Sequence, residues 1–375
     1  MNVADVVIVG GGIAGASLGY RLAGRRKRVV ILEAEDQPGY HSTGRSAALY
    51  TTTYGNAIIR ALTIVSGRFL LQPPAGFAET RLLSPRQVLW IGREDQAASL
   101  AAALVEARAS DERARACSVA EALALCPALD PGYLGGAILE PEGYDIDVHT
   151  LHQGYLRGFR QAGGELVGGA RVQSLARAGG GWEVEAGGQR FSCAVVVNAA
   201  GAWADELAAL AGLAPVGLTP KRRTAITFDP PVGDGVAAWP CVLDADETFY
   251  FKPDAGRILA SPADETPSPP CDAQPEDLDI AVTVDRIETA TTLQVRRIAA
   301  KWAGLRTFAP DKTPVVGMDP DAPGFFWLAG QGGYGIMTSP ALGAVAADLI
   351  TEGGFGEAVS GPGVSAAALS PARFR

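Results

Sequence analysis

The stretch that decides the fold lies near the start of the chain and reads Val6-Val7-Ile8-Val9-Gly10-Gly11-Gly12-Ile13-Ala14-Gly15. Its first four residues are consecutive apolar residues, typical of a strand buried in a parallel sheet. Helix formers and small residues follow from Ala16 to Ala23, and Arg28 to Leu32 predicts a second strand, closed by Glu33. This order predicts a strand–turn–helix–strand unit, with which Rossmann-like α/β folds begin.

The glycine turn and the acid beyond it predict a dinucleotide site. Gly10 permits the tight turn, Gly12 lets backbone amides approach a pyrophosphate, and Gly15 allows the helix to pack closely on the strand. The helix N-terminus offers free N–H groups to the phosphates. Glu33 is placed to accept hydrogen bonds from ribose hydroxyls, which disfavours the 2′-phosphate of NADP.

Two later segments repeat the strand–helix pattern. Val195 to Gly201 predicts a strand and turn before a helix from about Ala202 to Leu210. Phe325 to Ala329 predicts another strand, followed by a glycine-rich turn and a helix from Ile336 to Ile350. These units extend the doubly wound part of the fold to both ends of the chain.

The intervening segments have a different texture. Around Gln87 to Ile91, Thr224 to Phe228 and Thr248 to Phe251, short β-type runs are separated by turns that contain Pro and Gly. Acidic and Ala-rich helical stretches lie between them. We therefore predict a mainly antiparallel sheet with helices, inserted twice into the doubly wound domain. The Pro- and Asp-rich segment from Ser261 to Pro275 is expected to be an exposed loop.

Composition restricts the class of protein further. The 375 residues are 47% hydrophobic and carry 32 Lys and Arg against 41 Asp and Glu, a net charge of −9. A chain of this kind can bury a large core, and nucleic acid or anionic membranes are poor partners for it. Five cysteines without C-x-x-C spacing and three histidines predict no metal site. Neither a signal sequence nor an integral membrane segment is predicted, so we expect a cytoplasmic protein.

A second turn lies at Gly39-Tyr40-His41-Ser42-Thr43-Gly44-Arg45-Ser46-Ala47-Ala48. It is rich in Gly, Ser and Thr, and we expect it to open a helix and so to offer a second phosphate or ring-edge site. The other interpretation of the same residues is a surface loop with a helix cap.

These motifs together resemble the D-amino-acid oxidase superfamily of flavoproteins, and within it most closely the bacterial FAD-dependent D-arginine dehydrogenases. The resemblance covers essentially the whole chain in order. Besides the two turns, it is carried by Val197-Asn198-Ala199-Ala200-Gly201-Ala202-Trp203, Trp302-Ala303-Gly304-Leu305-Arg306 and Gln331-Gly332-Gly333-Tyr334-Gly335. It implies a Rossmann-like FAD-binding domain formed by residues 1–80, 145–218 and 300–375, and a substrate-binding domain formed by residues 81–144 and 219–299.

The resemblance also implies the residues that contact the cofactor. With the glycine turn, the expected FAD-binding residues are Gly10, Gly12, Ala14, Gly15, Glu33, Ala34, Ser42, Thr43, Gly44, Arg45, Ser46, Ala47, Ala48, Leu49, Val172, Gly332, Gly333, Tyr334, Gly335, Ile336 and Met337. No cysteine or histidine stands where a covalent flavin bond is implied, so non-covalent FAD is expected.

The substrate implied by the resemblance is an amino acid. Arg306 and Arg223 are expected to hold its carboxylate, because a planar guanidinium pairs with a carboxylate through two hydrogen bonds. Arg222 is an equal rival of Arg223 on the residues alone, and strand alternation allows only one of them to face the site. Tyr54 and Tyr250 match tyrosines that border the substrate in the family.

The expected reaction is hydride transfer from the substrate Cα to flavin N5. It yields an imino acid, which water hydrolyses to a 2-oxo acid and ammonia. No catalytic base is required once the amine is neutral. Leu49 stands where the arginine dehydrogenases have a histidine, so histidine-assisted binding of the amine is in doubt.

The pocket for the side chain departs from the arginine dehydrogenases at a second position. Val88 replaces the glutamate that meets the substrate guanidinium, and the other predicted pocket residues are Leu49, Leu243, Gly333, Met337 and also Cys241. A buried cationic group without a carboxylate partner is strongly penalised. These pocket residues predict a preference for neutral, apolar side chains, and with the D configuration that the resemblance implies, for neutral, apolar D-amino acids over D-arginine and D-glutamate. The other interpretation is that Val88 is an ordinary strand residue and that Gln87 or another group supplies polarity.

Two other functions remain open on the sequence. One is a secondary-amine (glycine- or sarcosine-like) or 2-hydroxy-acid flavin oxidoreductase, and the other is a binding module that has lost FAD. The sequence does not decide between oxidase and dehydrogenase, and the electron acceptor, a quinone or another molecule, is not identified.

Overall fold

The computed structural model describes residues 1–231 and 235–375, and its α/β architecture confirms the predicted fold class. The α-helices of the described residues are α1 Ile13–Gly24, α2 Ala57–Leu71, α3 Ala97–Arg108, α4 Val119–Leu125, α5 Val148–Gln161, α6 Ala204–Leu210, α7 Asp277–Ala290, α8 Gly335–Glu352, α9 Glu357–Ser360 and α10 Ala366–Leu369. The strands are β1 Asn2–Val9, β2 Val29–Leu32, β3 Leu49–Tyr50, β4 Leu83–Pro85, β5 Val88–Gly92, β6 Arg115–Cys117, β7 Gly136–Glu140, β8 Tyr144–Ile146, β9 Glu165–Val167, β10 Val172–Ala178, β11 Gly181–Ala186, β12 Gln189–Asn198, β13 Thr219–Phe228, β14 Cys241–Asp244, β15 Tyr250–Asp254, β16 Arg257–Ser261, β17 Thr266–Pro267, β18 Ile298–Phe308, β19 Val315–Met318, β20 Phe325–Ala329 and β21 Gln331–Gly332.

The first sheet contains the strands of the glycine-turn unit. Its order is β10-β11-β12-β1-β2-β9, and β20 pairs with β12 and β19. The strands β12, β1, β2 and β9 run parallel, as buried apolar strands joined by helical crossovers do. The register sets Val9 beside both Leu32 and Asn198. The carboxyl ends of these strands therefore meet at one edge, where ligands bind in open α/β sheets.

Apolar side chains cover both faces of this sheet. On one face Ile8 and Ile31 pack with Leu18 of α1 and Val345 of α8 in a buried cluster. On the other face Val7 belongs to a cluster that includes Trp182 and Phe325. Burial of these faces fixes the strand register, because a shift of one residue would turn every side chain to the opposite face.

The second sheet is mainly antiparallel, as predicted. Its order is β21-β18-β13-β16-β15-β14-β5-β7-β6, β17 pairs with β13, and the pair β14–β5 is parallel. The domain boundaries stay a prediction. The strand β18 crosses the boundary predicted at residue 300 and pairs along its length with β13.

One face of the second sheet is apolar and carries helices. Leu89, Ile226 and Phe251 are buried there in a cluster with Ile280 and Ile287 of α7. Because side chains alternate along a strand, the neighbours of these residues point to the opposite face. That opposite face supplies the candidate site.

Two local expectations were wrong. The turn from Gly39 to Ala48 does not open a helix, because the chain continues into β3, which pairs with β8, and α2 begins only at Ala57. The segment from Ser261 to Pro275 is not simply an exposed loop. Ser261 is fully buried, and β17 pairs with β13, so this segment is tied to the second sheet.

Within the described residues, no helix combines the length and the apolar character that crossing a membrane requires.

Candidate active site

Two adjoining cavities lie at the carboxyl edge of the first sheet, and the second of them extends to the second sheet. Their empty volumes are about 980 and 1620 Å³, and they share the lining residues Gly12, Ser42, Thr43, Ala199 and Gly201. Together they run from Glu33, beyond β2, to Arg306 on β18. An elongated space of this kind, starting at a glycine turn, fits a dinucleotide with its second ring system towards the second sheet.

The glycine turn is held by side chains that also line the first cavity. Glu33 accepts hydrogen bonds from the backbone N–H groups of Gly11 at 2.8 Å and Glu35 at 3.0 Å. Thr43 accepts from the N–H of Ile13 at 3.0 Å, which joins the second turn to the first. A Cβ at Gly15 would lie 1.9 Å from the carbonyl oxygen of Gly10, so only glycine lets α1 approach the turn this closely. Gly12, the N-cap residue of α1, has no side chain that could cap the helix, so apart from the Ile13 N–H, which Thr43 accepts, the first turn of α1 can offer its N–H groups to an anion.

Most of the predicted cofactor residues line one cavity or both. The first cavity is lined by Gly10, Gly12, Glu33, Ala34, Ser42, Thr43 and Val172. The second is lined by Gly12, Ala14, Ser42, Thr43, Arg45, Ser46, Ala47, Ala48, Leu49, Gly332, Gly333, Gly335, Ile336 and Met337. The helix α8 starts among the last of these residues and has no side-chain cap, so its positive end points to the second cavity.

Three predicted cofactor residues lie behind the cavity walls. Gly15 acts through helix packing, as described above. Gly44 lies in the second turn, where its N–H bonds to the carbonyl of Gly39 at 2.7 Å. Tyr334 is buried, and its ring packs edge-on against Tyr54 and Phe308. These residues support the walls and do not line them.

Sequence reasoning missed a buried histidine beneath the two turns. Nε2 of His152, on α5, lies 2.8 Å from the carbonyl oxygen of Gly11. Burial lowers the pKa of His152, so the ring is neutral at neutral pH and Nε2–H donates to this oxygen. A Cβ at Gly39 would lie 2.9 Å from the same ring, so His152 contacts both turns. Because His152 is far from the glycines in the sequence, no sequence pattern indicated this contact.

Arg306 and its neighbours form the polar end of the second cavity. The guanidinium is largely buried, with a side chain 14% exposed, and Nη2 donates to Tyr54 Oη at 3.1 Å. Burial acts to lower the pKa of Arg306, but the surrounding hydroxyls of Tyr54, Tyr250 and Tyr334 raise it above its usual value. A Cβ at Gly333 would lie 1.9 Å from Nη2, so a larger residue at this position would have to displace the guanidinium.

The second arginine reaches the same cavity from the neighbouring strand. Arg223 lines the cavity, and its Nε donates to the carbonyl oxygen of Asp264 at 2.9 Å. Arg222 points to the opposite face, where Nη2 lies 3.0 Å from a carboxylate oxygen of Asp279 on α7. Strand alternation thus turns Arg223 and not Arg222 to the cavity, and Tyr250 on β15 lines it as well.

All the predicted side-chain pocket residues also line the second cavity: Leu49, Val88, Cys241, Leu243, Gly333 and Met337. Three polar or aromatic residues that sequence reasoning missed line it too, namely Trp90, Glu247 and Lys252. The side chain of Lys252 is 4% exposed, and its Nζ donates to Asp145 at 2.6 Å. Tyr250 and Lys252 are two residues apart on one strand and therefore share a face, which could have indicated that Lys252 lines the cavity.

A buried carboxylate stands behind Trp90. Glu140 is 2% exposed and accepts from Trp90 Nε1 at 2.7 Å and from Thr53 Oγ1 at 2.6 Å. Burial raises the pKa of Glu140 despite these hydrogen bonds. Val88 pairs directly with Glu140 across β5 and β7, so a carboxylate lies next to the predicted side-chain pocket without lining it.

Comparison with known proteins places this geometry in a family. Residues 5–349 match the sequence model of the FAD dependent oxidoreductase (DAO) family. The glycine oxidase of Geobacillus kaustophilus is 26% identical over 356 residues, which cover 92% of this chain and 92% of that protein.

Solved structures show the same fold. The crystal structure of the G. kaustophilus glycine oxidase has a TM-score of 0.81 at 25% identity and covers 94% of this chain and 95% of its own. The FAD-bound L-α-glycerophosphate oxidase of Mycoplasma pneumoniae has a TM-score of 0.84 at 18% identity, with 93% and 95% of the two chains covered. With a glycine turn, an acid beyond β2 and a family match over most of its length, the chain belongs to the DAO family of FAD-dependent oxidoreductases, and FAD is its cofactor, as the sequence predicted.

Proposed function

We propose that this protein oxidises the amine-bearing carbon of D-amino acids and prefers neutral, apolar side chains. The observation that carries the proposal is Arg306. Its Nη1 atom is buried and has no hydrogen-bond partner among the described residues, while the rest of its guanidinium is fixed by Tyr54. A buried, charged donor without an acceptor is costly, and a substrate carboxylate would supply that acceptor.

The neighbouring side chains suit the same ligand. The oxygen of Tyr54 already accepts from Arg306, so its hydroxyl hydrogen is free to donate to a carboxylate. Arg223 and Tyr250 line the same cavity from adjacent parts of the second sheet. The carboxylate would be anchored at this polar end, with the α-carbon directed to the cofactor.

When bound, FAD supplies the two-electron acceptor for the reaction. The protein's part is to orient the substrate and to exclude competing groups. Gly332 to Met337 and the start of α8 would place backbone N–H groups and a positive helix end beside the cofactor ring. We propose FAD contacts at the cavity-lining residues given above.

The side-chain preference rests on an apolar part of the wall of the same cavity. Leu49, Leu243 and Met337 are apolar, and each methylene buried against such a wall contributes about 0.8 kcal/mol. Lys252 does not make this wall attractive to anions, because Asp145 already pairs with it. Glu247 is exposed at the cavity, where water screens its charge.

The test is flavin bleaching under anaerobic conditions, followed by kcat/KM with a dye acceptor. D-Leucine, D-methionine and D-phenylalanine should reduce the flavin faster than D-arginine and D-glutamate, and all of them faster than the L-enantiomers. Failure of every amino acid to bleach the flavin would overturn the proposal.

The same panel applied to Val88→Glu, with Val88→Gln as the matched neutral control, tests the pocket. The glutamate should gain D-arginine turnover and the glutamine should not, because only the carboxylate can pair with a cation. The nearby carboxylate of Glu140 should raise the pKa of the carboxyl introduced by Val88→Glu. The comparison is therefore made at pH 8 to 9 as well as at pH 7, so that the new carboxyl is ionised. Equal behaviour of the two variants at every pH would show that Val88 does not face the substrate side chain.

A second candidate function is oxidation of glycine or a secondary amine. It is favoured by the similarity to a glycine oxidase over 92% of both chains. Adding glycine and sarcosine to the panel distinguishes the two, because the second function predicts that these small substrates outperform D-leucine. D-Lactate in the same panel tests a 2-hydroxy acid.

A further inference from the structure

An acidic residue stands beside the arginines that the proposed function assigns to the substrate carboxylate. Lys221, Arg223 and Arg306 form a cation cluster on one face of the paired strands β13 and β18, where Lys221 lies directly opposite Arg306. Glu265, on the segment after β16, contacts all three of these cations. Neither the sequence motifs nor the proposed binding geometry uses this carboxylate.

The distances show that Glu265 is a counterion of the two arginines but does not form hydrogen bonds with them. Oε2 of Glu265 accepts from Lys221 Nζ at 2.8 Å. Oε1 lies 3.6 Å from Arg223 Nη2 and 3.7 Å from Arg306 Nη1, within ion-pair range but beyond hydrogen-bond length. A substrate carboxylate bound to these donors would therefore lie next to Glu265.

The backbone holds Glu265 in this place from both sides. On one side, Asp264 accepts from the N–H of Thr224 at 2.7 Å, and its carbonyl accepts from Arg223. On the other side, β17 pairs with β13 through Thr266 and Pro267. The side chain of Glu265 is 36% exposed, so its position is set by the backbone on either side and not by deep burial.

Glu265 remains ionised at neutral pH. Partial burial acts to raise its pKa, but the hydrogen bond from Lys221 and the charges of Arg306, Lys221 and Arg223 lower it below its usual value. Glu265 and the carboxylate of Asp264, which lies 4.0 Å from Arg223 Nε, offset two of the three positive charges of the cation cluster. One bound carboxylate offsets the third, so a second carboxylate on the same ligand would approach a group without net positive charge and would be repelled by the nearby Glu265.

We propose that Glu265 is a specificity-determining residue, which biases the site towards ligands with a single carboxylate by repelling a second one. This inference rests on the proposed function only in that the cation cluster binds the substrate carboxylate. A purely structural counterion would stabilise Lys221 and the arginines without changing the ratio of affinities for two ligands that differ by one carboxylate.

The experiment measures binding of propionate and succinate to the FAD-loaded enzyme. The two differ by one carboxylate, and neither has an amine to oxidise. Dissociation constants are obtained by calorimetry and by perturbation of the flavin spectrum, at low and at 0.5 M salt. The variants are Glu265→Gln and, as a matched control, Glu276→Gln, which removes the same charge from the opposite face of β13, where Glu276 pairs with Arg222.

Wild type should bind propionate more tightly than succinate. Glu265→Gln should tighten both and shift their ratio towards succinate by about fivefold at low salt, as expected for one screened charge at roughly 8 Å. The shift should shrink at high salt, and Glu276→Gln should leave the ratio unchanged. Wild type preferring succinate overturns the proposal even if Glu265→Gln fails to fold, and so does an unchanged ratio in a folded Glu265→Gln.

The outcome separates the two proposals. If no amine substrate is turned over but the ratio shifts as expected, the proposed function fails and the role of Glu265 stands. If amino acids are oxidised and the ratio does not move, the role of Glu265 fails alone. If neither carboxylate binds to wild type, the cation cluster is not a carboxylate site and both fail.

Discussion

At the scale of single residues, the candidate site depends on which face of β13 each of three consecutive cationic side chains occupies. Lys221, Arg222 and Arg223 are consecutive cations, yet only the first and third share the face of the second sheet that contacts the cavity. Arg222 forms ion pairs with Asp279 and Glu276 on the opposite face, which carries α7. Arg306 lies on that cavity face of the neighbouring strand, and its Nη1 has no hydrogen-bond partner among the described residues.

Replacing Arg306 by Ala should therefore abolish most of the catalytic efficiency. Loss of a charge-assisted pair with a buried carboxylate costs on the order of 2–5 kcal/mol, so kcat/KM should fall by about 30-fold or more. Steady-state kinetics with D-leucine and the flavin spectrum, which reports folding, are the measurements. Arg222→Ala is the control, because it removes the same charge from the other face and should change kcat/KM by less than about threefold. If Arg222→Ala lowered kcat/KM strongly and Arg223→Ala did not, the assignment of Arg223 to the site would be wrong.

At the scale of elements, the first turn of α1 determines whether the cofactor can bind. The helix approaches the glycine turn so closely that its third residue touches the carbonyl of Gly10. The second turn, although it opens no helix, bonds to the same helix through Thr43. The two turns and His152 thus form one support for the phosphate end of the site.

Gly15→Ala should lose FAD, because the added methyl group would meet the Gly10 carbonyl at 1.9 Å and push α1 away from the turn. The ratio of flavin to protein absorbance in the purified variant measures this loss. Gly24→Ala, at the other end of the same helix, is the control. No heavy atom lies within 4 Å of its added Cβ, so it should keep full FAD and a stability within about 1 kcal/mol of wild type. Full FAD content in Gly15→Ala would contradict the close approach.

At the scale of the whole molecule, the cofactor space is built by two sheets of different kinds. In the proposed binding mode, the parallel sheet would supply the phosphate end through Gly12 and Glu33, which line the first cavity, and the antiparallel sheet would supply the arginine end. A ligand that bridges both sheets stabilises the folded state by mass action.

FAD should be released intact by acid precipitation and should raise the melting temperature of the apoprotein when it is added back. We expect the yellow supernatant to contain FAD and not FMN, because in the proposed binding mode Glu33 and the glycine turn would contact the half of FAD that FMN lacks. Chromatography of the supernatant and thermal melts with FAD or FMN provide the measurements. Flavin remaining in the pellet would show a covalent bond, and an equal effect of FMN would contradict the assigned phosphate end.

The sequence by itself determined the local part of this protein. Val6 to Gly15 with Glu33 predicted the first unit and its ligand class, because strand period, turn chemistry and helix start are all set within about 30 residues. The alternating runs predicted a mainly antiparallel second sheet, and the resemblance named the residues that the structure brings together in the second cavity. The first unit and the strand patterns are features that near neighbours in the chain decide, whereas the cavity residues came from the resemblance.

Only the tertiary structure decided which side chains share a surface. On the residues alone Arg222 and Arg223 were equal rivals, and the face that β13 turns to the cavity favours Arg223, which the resemblance had implied. Glu265 comes to the arginines from a segment that carries no motif. The turn at Gly39 to Ala48 was wrongly expected to open a helix because its composition suits a helix start, whereas pairing of β3 with β8 extends the chain there. The contacts of Arg223 with Asp264 and of Arg306 with Tyr54 join residues 41 and 252 positions apart, and no local pattern contains that information.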